Sequence, residues 1–209
     1  MFAIGHFGLG YLLGKATSKI TRTPLNLALL FAVSILPDLD MLFPNFLNHR
    51  GPTHSLFFAV LVVLPFFIKY RKEAFPYLVA LLSHSIIGDI YSTNQGVHLF
   101  WPFSNNWVWI FNLPNVSALS IGFELVLFAI STLIMILNGD LKRILTYNKF
   151  KLYWLLPLGA VLGPLLIGQI ISDYYLPFLL VFPSLFYLVI FSVAIIGPRI
   201  LIKNILHEE

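Results

Sequence analysis

Cysteine is absent from this 209-residue chain, and charge is scarce: 11% of residues are Asp, Glu, Lys or Arg, against 58% hydrophobic. The first absence excludes disulfides, thiolate zinc sites and a cysteine nucleophile, and leaves the redox compartment open. The second excludes an ordinary soluble domain, in which about a quarter of residues are charged. With a mean hydropathy of +0.86, the chain reads as an all-α integral membrane protein. A basic patch is also missing. The formal charge of +4 is spread through short loops, which argues against a nucleic-acid partner. The start of the chain lacks a basic n-region and a small-residue cleavage site, so Met1 onward is expected to be retained. There is no internal repeat and no low-complexity tract.

What is present is a series of about seven hydrophobic segments. Phe2 to Gly14 is short, about 20 Å if helical, and enters only part of a bilayer. Leu25 to Ile35 follows Pro24, which suits a first helical turn. Leu56 to Ile68, Phe75 to Ile90, Ser117 to Leu137, Leu152 to Ser172 and Tyr175 to Ile196 complete the set, with residues 138–151 read as a loop. Pro157, Pro164, Pro177 and Pro183 are candidate kinks, which neighbouring helices in a membrane tolerate. Residues 1–116 form one region and 117–209 a three-helix portion packed on it, as a single domain overall.

Basic residues orient the chain. Loops 15–24, 69–74, 138–151 and 198–209 hold 12 of the 13 Lys and Arg; Arg50 alone lies in the alternate set. The first set is expected to be cytoplasmic, within the plasma membrane. On this topology His6, Asp38, Asp40, His49, His54, His84, Asp89, His98 and Glu124 fall at the outer face. They are five of the six His and four of the nine carboxylates. His207 lies on the opposite side. Ionisable groups at a bilayer edge are expensive and usually functional.

His49-Arg50-Gly51-Pro52-Thr53-His54-Ser55 is the densest stretch. Gly51 and Pro52 argue against a continuous helix there, and a bend can aim two imidazoles at one point. Thr53 can cap a helix beginning at His54. Carboxylates suit a helix C-terminus poorly, so Asp38 and Asp40 after the second segment favour a cation. His and Asp without Cys suit Zn or Mn, and the number of candidates suits several ions. His84 and Asp89 are about 140° apart on an ideal helix. One ion cannot grip both without a break near Gly88; otherwise Asp89 orients His84 or binds a second ion. Glu124 is open between ligand, general base and partner of Arg50. Trp101, Trp107 and Trp109 read as interfacial anchors.

His6, Leu36-Pro37-Asp38-Leu39-Asp40, the His49–Ser55 run, His84 with Asp89, and Gly96-Val97-His98 through Trp101-Pro102-Phe103 resemble the YdjM-like family of membrane-bound metal-dependent hydrolases. The resemblance covers roughly residues 1–104. It implies a distant likeness to the all-helical zinc phospholipase C and P1 nuclease group, with its three-zinc cluster. It implies metal ligation by His6, Asp38, Asp40, His49, His54, His84, Asp89 and His98.

The expected activity is hydrolysis of a phosphoester in a membrane lipid or lipid-linked substrate, with two or three divalent ions and Arg50 on a phosphate oxygen. A metal-ion transporter or sensor is the rival reading. Transporters usually place such sites near the midplane between related halves, whereas here the ligands crowd one face. A scaffold, with the polar groups bracing the outer loops, is the third.

Overall fold

The structure is a computed structural model that describes residues 1–43, 46–91, 96–111, 113–146, 151–167 and 176–197. Among the described residues there is no strand, only an antiparallel bridge between Val97 and Val108. The described residues form eight α-helices in order: α1 Ala3–Thr21, α2 Leu27–Ser34, α3 Leu56–Tyr70, α4 Phe75–Ser83, α5 Ala118–Leu137, α6 Asp140–Thr146, α7 Leu155–Ile167 and α8 Phe178–Ile196. Tight 3₁₀ turns cover Leu36–Leu42, Pro52–His54, Arg71–Ala74 and Lys151–Trp154, and α4 runs on into a π turn over His84–Asp89.

The centre of the bundle is α1, which packs on α2, α4, α5, α7 and α8. Small residues allow this. A methyl group on Gly10 would lie 2.0 Å from Ser34 Oγ, so only glycine lets α1 and α2 approach so closely. Phe7, Phe31, Tyr187 and Phe191 are almost inaccessible to solvent. Their rings meet at centroid separations of 5.2 to 6.1 Å. Full burial of each stabilises by roughly 1.5–3 kcal/mol. Residues before and after position 116 therefore share one core.

The outside is apolar as well. Leu61 and Ile68 on α3, Leu119 and Leu133 on α5, and Phe178 and Phe182 on α8 are each more than half exposed. Apolar patches of this extent mark contact with a partner or a membrane. Helices α5 and α8, with 20 and 19 residues, are long and apolar enough to cross a bilayer.

Several boundaries differ from the sequence expectation. Helix α1 is not a short segment ending at Gly14 but continues to Thr21, about 28 Å at helical rise. Lys15 to Thr21 lose apolar character without losing helical propensity. The helix stops where Arg22 turns left-handed and its N–H caps the Lys19 carbonyl. Asn26, rather than Pro24, sets the start of α2: its side chain accepts from Leu29 N–H at 3.1 Å. Residues 138–151 are not a plain loop, since they contain α6. Here Asp140 is buried, accepts from Tyr11 Oη at 2.8 Å and pairs with Lys15. Ser55, not Thr53, is the cap of α3 and accepts from Phe58 N–H.

Candidate metal centre

Four ligand atoms from three places in the chain meet at one end of the bundle. Asp38 Oδ1 comes from the 3₁₀ turn after α2. His54 Nε2 comes from the turn before α3. His84 Nε2 and Asp89 Oδ2 come from the π turn. His54 lies 3.4 Å from Asp38, 3.1 Å from Asp89 and 3.2 Å from His84. His84 lies 3.3 Å from Asp38 and 3.4 Å from Asp89. These five separations, 3.1 to 3.4 Å, match the roughly 3.3 Å ligand-to-ligand spacing that bonds of about 2 Å give around a tetrahedral Zn²⁺, and all four atoms lie within 4.8 Å of one another. The donor set and the spacing fit a divalent cation.

The π turn is what allows His84 and Asp89 to share that point. Its wider winding of five residues per hydrogen-bonded turn brings the two side chains to one side. The 140° separation expected on an ideal helix does not apply. Gly88 lies within the turn, where a Cβ would fall 2.7 Å from His6 Cε1.

The two imidazoles are held in the form that ligates through Nε2. His84 Nδ1–H donates to the Ser34 carbonyl at 2.7 Å. His54 Nδ1 faces Thr53 Oγ1 at 3.0 Å and Asp40 Oδ2 at 3.3 Å. Thr53 in turn donates to Asp40 Oδ2 at 2.8 Å. Such carboxylate and carbonyl partners fix the tautomer and orientation of metal-binding histidines. Neither the Ser34 carbonyl nor the Thr53 clamp was foreseen from sequence. A backbone acceptor leaves no residue signature.

Asp40 also accepts from the Arg50 backbone N–H at 3.2 Å and faces His49 Nδ1 at 3.0 Å. Asp40, His49 and His54 thus form a second group able to hold an ion. His54 is common to both groups, but a neutral imidazole has one lone-pair nitrogen. With Nε2 aimed at the first group, Asp40 and His49 serve His54 from behind. Arg50 itself sits at φ 64, a strained setting for a non-glycine residue. Its Nη2 lies 3.7 Å from Asp89 Oδ1.

His6 is buried with its ring flat on His84, and its Nε2 is 3.6 Å from Asp89 Oδ1. Among the described residues neither ring nitrogen of His6 has a hydrogen-bond partner, a costly condition in the interior. A cation beside Asp89 Oδ1 would relieve it. The Met1 amine also faces that oxygen, at 3.2 Å.

Two residues lie elsewhere than expected. His98 joins neither ligand group among the described residues. Its backbone N–H donates to the Arg50 carbonyl at 2.9 Å and its ring packs on Trp107 at 3.8 Å. That pair fastens the 96–111 loop to the His49–Ser55 bend and gives Trp107 a partner inside the protein. Glu124 accepts from Phe2 N–H at 2.9 Å and Gly5 N–H at 3.3 Å. It caps α1 and so positions His6, rather than pairing with Arg50.

Electrostatics follow from this clustering. Burial raises the Asp38 carboxyl, but the His84 charge and hydrogen bonds from His54 and His84 outweigh it and hold the group well below its usual range. Burial likewise raises Asp40, and hydrogen bonds from His49 and His54 bring it down to about 2. Burial lowers His54, yet hydrogen bonds to Asp38, Asp40 and Asp89 keep it well above its ordinary value. Of the four ligands only Asp38 is partly exposed. With His49, whose side chain is 40% exposed, it marks the side on which the centre is open to solvent.

A family profile described as YdjM inner membrane protein matches residues 1–191. The inner membrane protein YbcI of Escherichia coli (strain K12) is 38% identical over 95 residues. That alignment takes in 37% of this chain and 55% of YbcI, so the chain spans about half the length of the curated relative it matches. No solved structure matches the chain.

Proposed function

The chain belongs to the YdjM inner membrane protein family, and from that premise we propose that it is a membrane-embedded, metal-dependent hydrolase of phosphoesters. The substrate class is a lipid or lipid-linked phosphate. The observation that carries this reading is the close four-atom set of Asp38, His54, His84 and Asp89, with His54 and His84 each fixed by a partner behind the ring. A merely bracing cluster has no need of such spacing or of two oriented lone pairs.

Zinc suits the four-atom set, and His6 with Asp89 Oδ1 is where a second ion would be held. A bound divalent cation supplies a water that deprotonates near neutral pH. The chain's own groups do the rest. Arg50 offers a planar cation to a non-bridging phosphate oxygen, stabilising charge as it grows there. Asp40 and Ser34 keep the two imidazoles aimed. The partly exposed edge at Asp38 and His49 admits the phosphate while a lipid tail stays in the bilayer. With 12 of 13 basic residues in the alternate loops, the positive-inside rule puts this edge on the extracytoplasmic side.

The test is metal analysis of the purified protein with assays on phospholipids and lipid-linked phosphates, with and without chelator. Phosphate release that depends on metal and disappears in His54→Ala supports the reading. Release that survives both treatments overturns it. Metal uptake into vesicles requiring Asp38 and His84, without hydrolysis, would favour transport.

A further inference from the structure

A cavity of about 660 Å³ lies between α2, α3 and the start of α4, away from the metal centre. It falls within the roughly 300–1,000 Å³ range of small-molecule sites. One wall is α2 and its flanks, from Pro24 to Leu36; Val62 and Phe66 of α3 form the other. Pro24 to Leu36 spans about 18 Å at helical rise, close to the ~15 Å depth of one leaflet's hydrocarbon. The far end stops at Leu36, two residues before Asp38. The near end is polar and carries one charge of each sign, Glu73 and Arg143.

We propose that this groove binds one chain of a phospholipid whose head group carries both a phosphate and a primary amine, as phosphatidylethanolamine does. The acyl chain lies along α2 between Ala32 and Val62. Arg143 meets the phosphate and Glu73 meets the ammonium. Arg71 and Lys72 directly precede Glu73 in the chain and Lys142 precedes Arg143, which assigns the lipid to the leaflet on the basic side. Its head is thus at the opposite end of α2 from the Asp38 carboxylate. This lipid is a resident of the fold and not the substrate of the metal centre.

Native mass spectrometry tests it on the whole protein, extracted in mild detergent from vesicles of equal phosphatidylethanolamine and phosphatidylglycerol. The expected result is one retained phosphatidylethanolamine per chain. Arg143→Gln, an exposed change, should lower retention about fivefold, the worth of one interfacial basic residue. Glu73→Gln should shift the preference toward phosphatidylglycerol. Val33→Trp, which fills the groove, should abolish retention. His54→Ala should leave it unchanged, so a failed hydrolase reading does not touch this one. Equal retention of both lipids, or retention unaffected by Val33→Trp and Arg143→Gln, overturns the proposal.

Discussion

His6 lies flat on His84, with ring centroids 3.6 Å apart and planes 10° from parallel. Two charged imidazoles would repel strongly at that distance, so at most one ring of the stack carries a charge at a time. It also ties the start of α1 to the π turn. The condition of the ligand set therefore depends on groups that never touch an ion, and several outcomes follow from that dependence.

Purified protein should carry at least one tightly held divalent ion per chain. His54→Ala and Asp89→Ala should each remove it. Asp40→Asn, which weakens the support behind His54, should lower affinity by about 10- to 100-fold without abolishing binding. Competition with a chromophoric chelator measures all three. Equal loss in Asp40→Asn and His54→Ala would make Asp40 a ligand in its own right.

Gly88→Ala puts a methyl group 2.7 Å from His6 Cε1, whereas a methyl at Gly122 meets nothing within 4 Å. The first change should displace His6 and weaken metal binding. The second, in a helix interior with room for the methyl, should stabilise by roughly 0.5–1 kcal/mol and leave metal binding unchanged. Thermal unfolding with and without metal separates them, and matching curves would refute the crowding at Gly88.

Metal binding should release a proton near neutral pH. Hydrogen bonds to three carboxylates outweigh burial and hold His54 well above its ordinary value, so the metal-free ring is charged where ligation needs it neutral. Affinity should climb with pH until that ring titrates unaided. The metal-free fold shows the opposite trend. A raised histidine pKa stabilises it fully below the unfolded value of about 6.5, and that contribution fades as pH rises through the folded value. Calorimetry in buffers of different ionisation enthalpy counts the protons, and a count of zero contradicts the geometry.

Glu124→Ala leaves the Phe2 N–H without its acceptor, at about 1–3 kcal/mol for a buried donor, while the Gly5 N–H keeps the Phe2 carbonyl at 3.0 Å. Glu124→Gln keeps one carbonyl oxygen and should recover much of the lost stability and metal affinity. A general base would behave otherwise, with Gln as inactive as Ala in turnover while unfolding stayed near the parent.

Composition makes the helical, membrane-bound character legible, and alternating loop charge groups the His and Asp residues. Asp38, His54, His84 and Asp89 do meet. Periodicity could not supply the π turn, because reading a helix at 3.6 residues per turn assumes the winding that His84–Asp89 abandons. The end of α1 was missed for a related reason, since Lys15 to Thr21 are polar yet helical. Glu124 and His98 show a different limit. A sequence marks a group as costly to bury, but a backbone N–H can satisfy the carboxylate and a tryptophan face can cover the imidazole.

The widened turn in α4 makes chain length there a ruler for chemistry. Removing Ile86 or Ile87 would let the coil close to ordinary winding, which leaves His84 and Asp89 four residues apart and about 40° around the axis. The two side chains would still face one cation, whereas the present spacing wound as an ordinary helix would turn Asp89 away by about 100° more. Cousins of this chain that are one residue shorter in that interval should therefore reach the same cation from a plain helix.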